Sequence, residues 1–95
     1  MILSFADGET EKIWKGERSR RLPADIQDAA LRKLRLLHAA KQVAELRIPP
    51  GNRLEALKGN RRGQWSIRIN VQWRVCFHWG ANEGGPSNVE IVDYH

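Results

Sequence analysis

Hydrophobic positions recur along this chain with two different periods, and the change between them divides it in two. Ile26, Ala29, Ala30, Leu34, Leu37 and Ala40 share one face at 3.6-residue spacing, with Asp28, Arg32 and Arg35 opposite. That spacing predicts an amphipathic helix over 25–41, opened by Leu22-Pro23-Ala24, because proline is tolerated in a first turn. A shorter helix is expected over 9–15, where Glu9 and Glu11 suit the positive end of the helix dipole. Before it, the apolar run 2–5 suits a first strand, and Ile48-Pro49-Pro50-Gly51 should end the helical half. His38 on the long helix reads as a surface residue, and Trp14 as the one tryptophan that need not be core.

Beyond that turn the period becomes 2. Trp65, Ile67 and Ile69 alternate with Gln64, Ser66 and Arg68, and Trp73, Val75, Phe77 and Trp79 alternate with Arg74, Cys76 and His78. Strands are expected over 53–57, 64–69, 73–79 and 89–94, with a basic glycine-flanked turn at 58–63 and a long loop at 80–88. The resulting order is β-α-α-β-β-β-β, an α+β fold with two N-terminal helices packed on one face of an antiparallel sheet. At 95 residues and 10.9 kDa, residues 1–95 should form one domain.

The two middle strands can bring their core faces together in only one register. It pairs Ile69 with Trp73, Ile67 with Val75 and Trp65 with Phe77 across the loop Asn70-Val71-Gln72. Arg68 is then directly across from Arg74 on the face away from the core. Like charges in that relation cost about a few tenths of a kcal/mol to 1 kcal/mol. Glu90 or Asp93 could relieve them, or the pair could stand open for a phosphate, with Lys58 entering the same sheet one strand away.

Charge sharpens this choice. Residues 52–81 hold Arg53, Lys58, Arg61, Arg62, Arg68 and Arg74 against Glu55 alone, which accounts for the whole net charge of +5. Eleven of the sixteen basic residues are arginine, whose planar fork suits phosphate oxygens. An anionic partner follows, although a solvated charged face would also have this composition. The lone Cys76 excludes a disulfide framework and a multi-thiolate metal site. No residue spacing suggests a metal, and no cofactor is expected. No run nears the ~18 apolar residues of a membrane span, and the apolar start is too short for a signal peptide. A cytoplasmic protein without membrane contact is expected.

Asp93-Tyr94-His95 closes the chain after the apolar run Val89-Glu90-Ile91-Val92. Tyr94 and His95 can both transfer protons, and His78 shares the arginine face. Proton carriers beside clustered cations are what RNA cleavage without a metal requires: a base for the 2′-hydroxyl, cations for the phosphorane, and an acid for the leaving oxygen.

These residues resemble a known family. Pro49-Pro50-Gly51-Asn52-Arg53-Leu54-Glu55-Ala56-Leu57-Lys58-Gly59, Gly63-Gln64-Trp65-Ser66-Ile67-Arg68, Gln72-Trp73-Arg74-Val75-Cys76-Phe77 and the Asp93-Tyr94-His95 ending are similar to the HigB-type toxins of the RelE-like superfamily. The resemblance implies a type II toxin-antitoxin toxin that cuts mRNA codons in the ribosomal A site. It also implies a helix-turn-helix antitoxin of the HigA type, with DNA engaged only through that antitoxin. Carried over, Lys58, Arg68, Arg74, Asp93, Tyr94 and His95 are the expected catalytic set; from the basic strip itself, Arg53, Arg61 and Arg62 are the expected contacts to RNA phosphates. Some members have a histidine where Glu55 stands, which makes Glu55 a candidate acid or base. Rival readings are a gyrase-inhibiting toxin on the same fold, a basic RNA-binding domain without catalysis, and a toxin that pairs with its antitoxin but no longer cuts.

Overall fold

The computed structural model describes residues 1–93; Tyr94 and His95 lie outside the described residues. Two helices, α1 (Gly8–Trp14) and α2 (Ala24–Ala39), precede an antiparallel sheet of β1 (Glu55–Ala56), β2 (Gln64–Arg68), β3 (Trp73–His78) and β4 (Ser87–Asp93) in that spatial order. The core lies between helices and sheet. Ile26, Ala30, Leu34 and Leu37 of α2 meet Ile67, Val75, Phe77, Val89 and Ile91 there. The helical face expected from the 3.6-residue pattern is the buried one, with one polar addition. Gln27 is also buried: its amide donates to the carbonyls of Ser19 and Leu22, and its oxygen accepts from the Ser19 N–H. That amide closes the connection between the helices, a tertiary role that periodicity does not encode.

Several boundaries move for local reasons. The long helix ends at Ala39 instead of residue 41. Glu45 accepts from the N–H groups of Lys41 (3.0 Å) and Gln42 (2.8 Å), diverting them into a capping box that starts the 3₁₀ turn Val43–Arg47. Pro50, expected only to break helix, begins a second 3₁₀ turn, Pro50–Asn52. Arg53 follows in the left-handed region at φ 45°, so the strand expected over 53–57 shrinks to Glu55–Ala56.

At the N-terminus, the strand expected over 2–5 is a single parallel bridge between Phe5 and Val89. Backbone bonds from Leu3 to Pro86, Val89 to Ser4 and Ala6 to Val89 hold the segment against β4. Asn88, at φ 50°, breaks the regular edge of β4 there, beside the register shift between Cys76 and His78. The same shift lets β4 begin at Ser87, two residues before the strand expected from the pattern. His38, expected at the surface, is half-buried. Its Nδ1 accepts from the Ile2 N–H at 3.2 Å, and its ring lies 4.8 Å from that of Trp14, tying the N-terminal segment to α2.

Gly85 marks the close approach of this segment to the long loop. A Cβ there would lie 1.8 Å from the Met1 carbonyl oxygen, so backbone must move. Gly85→Ala is expected to destabilise by about 1–3 kcal/mol. Denaturant midpoints of the two proteins check this, and an unchanged midpoint would mean the N-terminal segment adds no stability.

Candidate active site

The β2–β3 hairpin adopts the register demanded by its hydrophobic alternation: Trp65 opposite Phe77, Ile67 opposite Val75, Arg68 opposite Arg74. Asn70 shapes the connection, its side-chain oxygen accepting from the N–H groups of Gln72 and Trp73, each at 2.8 Å. The two arginines therefore stand side by side on the face away from the helices.

Arg74 is held in a defined pose. Its Nε donates to the Ser66 hydroxyl at 2.8 Å, and a terminal nitrogen donates to the Arg53 carbonyl at 2.6 Å. Arg53, Arg68 and Arg74 line a cleft of about 400 Å³, completed by Asn70 and by Val71 at the hairpin tip. Arg53, expected among the contacts to RNA, forms a wall of the cleft and anchors Arg74 through its backbone. Nothing in its side chain announces this, because the left-handed turn is set by what surrounds it. Ser66 was legible only as a polar position on the arginine face.

The other cations are placed differently. Arg61 donates to Glu90 and to Gln64, both at 3.1 Å, so its guanidinium is engaged within the sheet face. With Glu90 occupied in this way, no carboxylate among the described residues pairs with Arg68. Lys58 does not enter the sheet: β1 ends at Ala56, and Lys58 is exposed at the start of the 3₁₀ turn Gly59–Arg61, outside the cleft lining. Arg62 is exposed after the same turn. Glu55 is exposed and registers opposite Ser66, on the same face as the residue that anchors Arg74. His78 lies on that face too, opposite Gln64 and Ser87, at the end of β3 remote from Arg74. Asp93, the last described residue, accepts from the Gln72 side chain at 3.1 Å. Tyr94 and His95 follow it beyond the described residues.

Residues 3–95 match the family described as the RelE-like toxin of the type II toxin-antitoxin system HigB. The chain belongs to this family. It is 46% identical over 80 residues to Toxin HigB-1 of Vibrio cholerae, covering 83% of this chain and 84% of that one. It is also 30% identical over the full length of both chains to the Endoribonuclease HigB of Proteus vulgaris. Among solved structures, a YoeB/ParE toxin from Agrobacterium tumefaciens shares the fold, with a TM-score of 0.51 at 17% identity over 99% of this chain and 97% of that one. As a HigB-type toxin, the protein has an antitoxin as its partner.

In this toxin Cys76 is fully buried on the arginine face, between Ser66 and Glu90 in register. Burial pushes its thiol above the usual range, and Glu90 and Glu55 add to the rise while Arg61 and Arg74 oppose it. The folded protein is therefore expected to resist thiol reagents, which attack the thiolate. A disulfide reagent should label Cys76 only as denaturant unfolds the chain. Because the folded thiol holds its proton more tightly than the unfolded one, stability from this group is full below the unfolded thiol's pKa. It is lost as pH rises through the folded one. Rapid labelling at neutral pH without denaturant would contradict this.

Proposed function

We propose that this toxin is an endoribonuclease that cuts mRNA in the ribosomal A site, acting in the cytoplasm and neutralised there by a helix-turn-helix antitoxin of the HigA type. One observation carries the reading: Arg53, Arg68 and Arg74 surround a single open cleft. Three arginines lining one space favour a phosphodiester and, still more, the extra negative charge of its phosphorane. The name of the Proteus vulgaris relative supports the same chemistry.

In the proposed reaction the 2′-oxygen attacks the adjacent phosphorus, and the new P–O2′ bond forms as the P–O5′ bond breaks. A base takes the 2′-hydroxyl proton and an acid gives one to the departing 5′-oxygen. The products are a 2′,3′-cyclic phosphate and a 5′-hydroxyl. Arg74 and Arg68 hold the non-bridging oxygens, with Arg53 beside them and Lys58 as a further cation. His95 is the acid or the base, with Asp93 orienting it or sharing the task, and Glu55 is the alternative proton carrier. Tyr94 stacks on a base or aligns the 2′-hydroxyl. Arg61 and Arg62 meet ribosomal RNA through its phosphates.

The test is to incubate the toxin with mRNA, with and without programmed ribosomes, and to map the cut ends. Cuts confined to ribosomes, with cyclic-phosphate termini and lost in a chain lacking His95, are the expected result. Cutting that survives the deletion moves the proton transfer to Glu55, Asp93 or Tyr94. No cutting under any condition sinks the enzymatic reading, and gyrase inhibition becomes the next assay.

A further inference from the structure

Asn52 is fully buried one residue before the cleft, and its polar atoms are distributed over three parts of the fold. Its side-chain nitrogen donates to the carbonyls of Leu46 (3.2 Å) and Ile48 (3.4 Å). Its side-chain oxygen accepts from the Lys33 ammonium of α2 at 2.5 Å. Its own N–H closes the 3₁₀ turn onto the Pro49 carbonyl at 3.0 Å. The next residue, Arg53, adopts the left-handed conformation that a non-glycine residue avoids, and presents its carbonyl to Arg74. Backbone in such a conformation persists when its surroundings over-determine it. A buried amide with both ends bonded is such a surrounding, because any shift would leave polar groups unsatisfied.

We propose that Lys33 and Asn52 are positioning residues for the cleft: together they set the left-handed turn at Arg53 and, through its carbonyl, the pose of Arg74. The chain of contacts runs from the helical layer, Lys33 to Asn52 to the Arg53 backbone to the Arg74 guanidinium. Neither Lys33 nor Asn52 lines the cleft. The catalytic part of this inference rests on the ribonuclease reading; the orientation of Arg74 does not.

The experiment uses the full chain with Lys33→Met, which keeps the aliphatic stem and removes the donor, and with Asn52→Ala. Proton–nitrogen NMR follows the Arg74 Nε–H, bonded in the parent toxin to Ser66, and single-turnover cleavage on programmed ribosomes is measured beside ribosome affinity. The expected result is an Arg74 Nε–H that exchanges roughly tenfold faster. Cleavage is expected to slow by roughly 10–100-fold while affinity stays within about twofold, since misplacing a reacting group costs rate more than binding. An Arg74 signal unchanged from the parent in folded Lys33→Met overturns the proposal, even if its rate falls. If Asn52→Ala does not fold, Lys33→Met decides alone. If the parent toxin itself does not cut, the ribonuclease reading falls, and the Arg74 signal still supports or overturns the positioning role.

Discussion

Arg74→Ala is expected to lower cleavage on programmed ribosomes by about 10²–10³-fold, the range seen when one preorganised donor to a developing oxyanion is removed. The size follows from the way Arg74 is held. Its Nε and one terminal nitrogen are committed to the Ser66 hydroxyl and the Arg53 carbonyl, so the guanidinium arrives at the cleft already oriented. Arg74→Lys should recover little of the loss. An ammonium on a flexible stem keeps the charge but cannot reproduce the planar fork that meets both anchors at once. Removing the positive charge also takes away a like-charge neighbour of Arg68, so the variant is expected to be no less stable than the parent by more than about 1 kcal/mol. Single-turnover rates beside circular dichroism melts separate the two effects. A rate within about threefold of the parent would remove Arg74 from the chemistry, because a tenfold change corresponds to only about 1.4 kcal/mol.

The largest effect on stability is expected at Phe77. It is fully buried near the C-terminal end of β3, opposite Trp65 and edge-on to Trp79 with ring centroids 6.5 Å apart. Phe77→Ala should cost about 3–5 kcal/mol, from lost transfer energy plus the cavity left behind. Small domains have about 5–15 kcal/mol in total, so this one substitution consumes a large part of the margin. For a chain of this size each kcal/mol moves the melting temperature by roughly 4–8 °C, so a fall of more than about 12 °C is expected. Toxicity should disappear at growth temperature although no cleft residue has changed. A melting temperature within a few degrees of the parent would mean that the core collapses around the gap.

These two residues lie on the same strand, yet they are legible to different depths. That Phe77 faces the core and Arg74 faces away follows from alternation alone, since successive side chains on a strand point to opposite faces. The register that puts Arg68 beside Arg74 follows as well, because slipping by one residue would expose the tryptophan-rich face. The helix buried along Ile26, Ala30, Leu34 and Leu37 was equally plain from its spacing.

What alternation does not specify is which of several chemically equivalent partners a charged group takes. Glu90 and Asp93 were both candidates to relieve the arginine pair, and Glu90 pairs with Arg61, a residue 29 positions away. Lys58 and Arg53 were both basic residues near the sheet edge, and Arg53 lines the cleft while Lys58 sits outside it. The reason is the left-handed turn at Arg53, imposed by a buried asparagine that reaches to Lys33 on α2. The layers, the faces and the central register can be read along the chain, since these rest on short-range periodicity and on burying apolar surface. The cleft cannot be read that way, because hydrogen bonds between distant polar groups are chosen by geometry that exists only once the layers have packed.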